Sequence, residues 1–167
     1  KQRKSYNSVE IEGWERQIEQ EANQIDHMRT KYIKEISNKF NDKHLPVVLL
    51  GDAEICYENS NYKEKGLLNI LKDSRNEDAK KGFTTFGPHR TDISFDYQCL
   101  SVGKHLSRGQ TKLFAAALVS TQLDKLKETG GSPIMLVDDL YAELDQESSE
   151  KTLNLLLANK TQTFVSS

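Results

Sequence analysis

The sequence predicts an α/β fold carrying a helical arm, and three observations point there. Residues 134–137, "IMLV", form a continuous apolar run, the pattern of a strand buried on both faces as in a parallel sheet. Around that run the second half of the chain alternates strand, helix, strand, helix, strand. Ahead of it, between Glu10 and Phe40, apolar residues recur at helical spacing over several turns.

The arm comes first. Trp14, Ile18, Ile25, Met28, Tyr32, Ile36 and Phe40 are three, four or seven positions apart, with Glu, Gln, Lys and Arg between them. Asn7 and Glu10 are suited to form a capping pair. The single apolar stripe suits pairing with another helix and packing on its own domain equally well. "NDKHLP" (41–46) is expected to break this helix, and "VVLLGD" (47–52) reads as a short buried strand. "ICYE" (55–58) reads as a second strand. Helical spacing returns over 63–79 through Leu67, Leu68, Ile70 and Leu71. "KKGFTTFGPHRTDISFDYQ" (80–98) alternates enough for strands on either side of a Gly87-Pro88 turn. A helix runs from Thr111 to about Glu128, a loop follows in "ETGGSP", and strand 134–137 leads to a helix over 146–159 and a final strand in "QTFVSS". The chain is expected to divide into residues 1–81, a helical arm lobe with short strands, and residues 82–167.

Totals narrow the class. The 167 residues suit one domain, or one with a sizeable appendage. Hydrophobic residues make up 36% and charged residues 29%, a lean apolar share that favours an exposed arm over a compact globule. The formal net charge of −2 means that any nucleic-acid surface is a local patch rather than a global field. Cys56 and Cys99 stand far apart without zinc-ligand spacing, which fits a reducing, cytoplasmic setting. No apolar run approaches the roughly 18 residues of a membrane span. The chain opens on "KQRKSYNS" without a methionine and closes on a strand-like run, so a fragment of a longer protein is expected.

Two stretches carry chemistry. In "PIMLVDDLYAELD" (133–145) an apolar strand ends in Asp138 and Asp139. Ligands of open α/β sheets bind beyond the carboxyl ends of strands, and a magnesium ion on phosphates needs a hard oxygen there. A neighbouring carboxylate can polarise water. An ordinary polar turn after a strand explains the same pair. "LSRGQ" (106–110) combines a hydroxyl, a cation, a glycine and an amide at a helix start, where unsatisfied amides favour an anion. Taken alone, Ser107 as a plain helix cap explains that pentapeptide better.

Together these residues resemble a family. "LSRGQ", "IMLVDD" and "ELD", in that order, are similar to the signature, Walker B and D-loop motifs in the C-terminal half of an ABC-type P-loop ATPase head, a mostly parallel sheet with flanking helices. More narrowly, "GFTTFGPHRTDISF" (82–95), "HLSRGQTKLFAAAL" (105–118), "PIMLVDDLYAELD" and "TQTFVSS" (161–167) resemble the RecF family of bacterial DNA replication and recombination-repair ATPases. "GWERQI" (13–18) fits that family's helical lobe.

The resemblance implies ATP and Mg2+ as cofactors, with ATP sandwiched between two heads of an ATP-dependent homodimer. By that analogy Ser107, Arg108, Gly109 and Gln110 close over the γ-phosphate held by a partner, Arg108 standing where many ABC proteins have glycine. Asp138 is the magnesium-associated acid. Asp139 takes the catalytic position that is usually glutamate, and its shorter side chain implies slow turnover. Asp145 matches the D-loop acid, and Ser166 (or Ser167) occupies the switch position that is histidine in transporters. The family also implies DNA contact at single-/double-strand junctions or duplex near gaps, recombination mediators such as RecR and RecO as partners, and no membrane. Candidate phosphate-neutralising cations are Lys1, Arg3, Lys4, Lys80, Lys81, Lys104 and Lys112. His89 and Arg90 acquire no role beyond their turn. No G-x-x-x-x-G-K-[ST] loop occurs in the sequence, so this piece by itself is expected not to bind ATP. The head of another ABC/SMC-type ATPase and a non-enzymatic helical interaction module are the alternatives.

Overall fold

The computed structural model describes residues 8–49, 52–58, 60–138 and 146–166. The expected Asn7 cap lies outside them. The chain divides into two compact units, Lys1–Ile33 with Cys56–Ser94 and Lys34–Ile55 with Phe95–Ser167. Both are discontinuous in sequence, whereas the expected division falls at 81/82.

In the first unit, α1 (Ser8–Lys39) contributes its N-terminal and middle turns. These pack on α4 (Leu67–Lys81) through a small cluster of Ala22, Tyr62, Leu67 and Leu71. Polar contacts fix the register of the two helices. Arg75 grips the buried Glu15 through Nε and Nη2, at 2.6 and 2.5 Å, and its guanidinium pKa is raised by that hydrogen-bonded carboxylate. Glu19 accepts from the Leu68 amide at 3.0 Å, so α1 caps α4 with a side chain where α4 itself begins on Gly66. Helix α4 therefore starts later than the spacing over 63–79 implied, after a separate short turn, α3 (Ser60–Lys63).

Helix α4 ends on Gly82, which adopts the left-handed conformation (φ 77°) of a helix stop. The following residues 83–91 are not the first arm of a hairpin. Asp78 Oδ1 accepts from both the amide and the hydroxyl of Thr85, at 2.9 and 2.5 Å, folding the segment back on the helix end. A single 3-10 turn (Pro88–Arg90) then leads into β2 (Asp92–Tyr97). Alternating residues read as a strand here because local side-chain capping left no trace in the apolar period.

In the second unit the arm does not break at 41–46. A π-helical turn, Phe40–His44, continues α1 and passes into α2 (Leu45–Val48). Pro46 falls in the first turn of α2, where its missing N–H is no loss. "VVLL" accordingly begins as helix rather than strand, and β1 (Ala53–Glu58) is the first strand. Phe40 is fully buried, its ring edge-on to Phe114 at 4.8 Å between centroids.

The strands form two sheets. In the first, of order β1-β2-β3, β2 pairs antiparallel with β3 (Leu100–Ser101). In the second, β4 (Ile134–Val137) lies parallel to β5 (Gln162–Val165), with Val137 beside Val165. The parallel pairing agrees with the sequence reading, but burial on both faces does not. Met135 is buried, whereas Ile134 is 61%, Leu136 77% and Phe164 54% exposed. The helices of this unit are α5 (Val102–His105), α6 (Arg108–Glu128) and α7 (Gln146–Leu157), and α6 packs on α7 and on the π-helical turn.

Candidate functional site

Helix α6 begins earlier than its apolar spacing suggests, at Arg108. Ser107 is its N-cap, with extended backbone (φ −64°, ψ 164°). Its hydroxyl oxygen accepts from the Gln110 amide at 3.3 Å, and Gln110 Oε1 accepts from the Ser107 amide at 2.9 Å, a reciprocal capping box. Arg108, Gly109 and Gln110 are the first three helical residues. The amide of Thr111 bonds the Ser107 carbonyl at 2.8 Å, so the helical ladder starts there. The amides of Arg108 and Gly109 therefore have no carbonyl within the helix and point out at its positive end.

The cap consumes one lone pair of Ser107 and leaves its hydroxyl proton to donate elsewhere. Both Ser107 and Arg108 are exposed. A structural cap and an anion-facing hydroxyl are thus compatible in one residue.

The second element is the carboxyl end of β4. Asp138 follows the last paired residue and is exposed. Ser166 lies alongside it, one residue past β5. The Ser166 amide donates to the Val137 carbonyl at 2.9 Å, and its hydroxyl donates to Asp138 Oδ1. The parallel register thereby brings two of the candidate residues together. Asp138 Oδ2 accepts no hydrogen bond among the described residues. A free, exposed carboxylate oxygen is the hard donor that magnesium on a phosphate takes, usually with only one or two protein carboxylates. No group of three His, Cys, Asp or Glu side chains converges among the described residues. Asp139 and Asp145 lie outside the described residues, as do Lys1, Arg3, Lys4 and Ser167.

Of the other cations, Lys80 and Lys104 are exposed and Lys81 pairs with Glu77. His89 and Arg90 belong to a well-tied turn. Arg29 Nη1 donates to the Pro88 carbonyl at 2.6 Å and to Thr91 Oγ1 at 3.0 Å. His89 Nε2 meets the Thr84 carbonyl at 2.9 Å, and the Arg90 guanidinium sits 5.3 Å over the Phe83 ring. Gly87 has φ 140°, and a Cβ there would press on His89 Nδ1 at 3.1 Å, so glycine is required.

Several organising residues carry no local signal in the sequence. Asp26 accepts hydrogen bonds from Tyr57 and Tyr62 at 2.7 and 2.6 Å, partners distant in sequence. Burial, reinforced by the Asp26 carboxylate, pushes the Tyr62 phenol far above its ordinary range. His44 and Lys43 both donate to Asp124. Burial works to raise the Asp124 pKa, but the Lys43 and His44 hydrogen bonds outweigh it and hold the carboxyl below its ordinary value.

Over 161 residues the chain is 37% identical to the DNA replication and repair protein RecF of Pseudoalteromonas translucida, a match covering 95% of the chain. The chain belongs to the RecF family. RecF of Chromohalobacter salexigens is 32% identical over 157 residues and RecF of Vibrio cholerae 30% over 159, covering 92% and 95% of the chain. No family model matches. The fold agrees with a solved structure of the recombination mediator protein RecF bound to ATP, at a TM-score of 0.76 and 26% identity over 97% of the chain. A second RecF structure, with an ATP analogue, has a TM-score of 0.77 at 23% identity over 98% and bears on the fold alone. The chain spans 44% of the length of the Pseudoalteromonas RecF and 45% of the ATP-bound one. Its α/β architecture is that of the C-terminal part of an ABC-type ATPase head with a helical arm.

Proposed function

We propose that this chain supplies the signature half-site and the Walker B strand of a RecF-type ATPase acting in DNA repair and replication. The observation that carries this reading is the exposed, reciprocally capped start of α6, where the Arg108 and Gly109 amides have no carbonyl partner within the helix. Such a turn suits an anion presented from outside, since helix amides and the macrodipole favour negative charge.

The partner head of an ATP-dependent dimer presents that anion, the γ-phosphate of ATP. Arg108 adds charge, Ser107 donates its hydroxyl proton, and the Arg108 and Gly109 amides complete the cradle. Asp138 would hold Mg2+, which would neutralise charge on the phosphates of its own head's nucleotide. When bound, ATP supplies the energy of phosphate transfer to water. Asp139 orients that water, and Asp145 communicates between the heads. DNA near single-/double-strand junctions and mediators of the RecFOR pathway are the macromolecular partners, in the cytoplasm. Among the described residues no helix is long and apolar enough to cross a membrane.

The test is nucleotide binding by the chain alone and in combination. By equilibrium dialysis, the isolated chain is expected to take up no ATP. Mixed with an ATP-charged RecF relative, it is expected to join a complex whose formation needs Ser107. Tight ATP binding by the chain alone contradicts the half-site assignment.

A further inference from the structure

We infer that Ser166 is a positioning residue for the Asp138 carboxylate rather than a phosphate contact. The inference rests on the reading of Asp138 as the magnesium-associated acid, and it deepens that reading. Its basis is geometric.

The β4–β5 ladder does not stop at the Val137–Val165 pair. The Ser166 amide bonds the Val137 carbonyl at 2.9 Å, so main-chain pairing fixes the Ser166 backbone one step further on. From this anchored position its hydroxyl reaches sideways to Asp138 Oδ1. A hydroxyl bonded to an ionised carboxylate is about twice as strong as a neutral pair. Asp138 is exposed and has left the strand, so no packing selects its rotamer. The Ser166 hydrogen bond does. It engages Oδ1 and leaves Oδ2 to face a ligand.

This changes what the switch position does. A side chain that touches phosphate must keep its donor for phosphate. The single hydroxyl proton of Ser166 is already committed to Asp138, and serine carries no second one. The side chain therefore acts through the acid, as partners of metal-ligating carboxylates do when they orient the ligand. The parallel register itself creates the pairing: one residue beyond the last ladder pair, two strands present adjacent side chains at the same sheet edge. Threonine at 166 keeps the hydroxyl and suits extended backbone, whereas alanine removes the contact.

The experiment is solution NMR on the isolated chain, without nucleotide or metal. Three-bond couplings report the χ1 distribution of Asp138, and the carboxyl carbon shift in H2O against D2O reports a hydroxyl bonded to it. The wild-type chain is expected to show one dominant Asp138 rotamer and a solvent isotope shift. Ser166→Ala is expected to average the rotamers and abolish the isotope shift, with an unchanged melting temperature. Ser166→Thr is expected to restore both signatures. Equal rotamer averaging in wild type and Ser166→Ala overturns the inference. So does the absence of an isotope shift in the wild-type chain, a readout that needs no variant to fold. Neither measurement involves ATP, so failure of the ATP-dependent pairing and failure of this contact are separate results.

Discussion

Ser107 shows how one residue serves two explanations that looked like rivals. As a cap it accepts from the Gln110 amide, and as a hydroxyl it still has a proton to give. Substitution separates the roles. Ser107→Ala is expected to lower stability by about 1 kcal/mol through loss of the cap, read by thermal or urea unfolding. Ser107→Asp keeps an acceptor for the amide and favours the helix dipole, so stability is retained while a phosphate is repelled. Loss of a charge-assisted donor predicts about a 10- to 100-fold weaker ATP-dependent association for Ser107→Asp, measured by sedimentation.

At the same scale, burial holds buried His44 below its ordinary pKa of 6.5. Asp124 opposes that shift, while Lys43 and Lys39 support it. Between the depressed folded value and 6.5, the unfolded chain takes up a proton that the folded chain does not. Stability is therefore expected to fall as pH drops through that window, and His44→Gln to flatten the slope in pH-dependent urea unfolding.

At the scale of elements, legibility followed the range of the forces involved. The long spacing of α1 and the apolar run of β4 were readable because each depends on its own residues. The passage from α1 through the π-helical turn into α2 was not. "VVLL" has strand-like composition, but Pro46 in a first turn and the burial of Phe40 against Phe114 keep the segment helical. Removing that contact with Phe40→Ala is expected to destabilise the second unit by about 3–5 kcal/mol, seen as a lower urea midpoint. The exposure of one β4–β5 face was equally hidden, since an apolar run does not say which of its faces is covered. Ile134, Leu136 and Phe164 form an exposed apolar surface of the kind that drives association. The isolated chain is expected to self-associate with rising concentration. Leu136→Lys is expected to shift it toward monomer in light scattering without loss of helical signal.

At the scale of the whole molecule, the family was legible because its motifs are short, ordered and tied to strand ends and helix starts. The interleaving of the two units was not, because both units take sequence from either side of the other. Tyr57, Tyr62 and Asp26, or Arg29 and Pro88, meet only once the chain has folded. The sequence marks candidate residues by their type and spacing, but not which residues hold one another in place. Ser166 illustrates the difference: its position next to Asp138 is a consequence of parallel register, which no local pattern contains.

The central claim is that this chain completes a nucleotide site held by another head. Sedimentation velocity on the chain mixed with an ATP-bound RecF relative tests it most directly. A complex is expected with ATP or a slowly hydrolysed analogue, absent with ADP and lost in Ser107→Asp. A complex that forms equally without nucleotide, or that survives Ser107→Asp unchanged, contradicts the account.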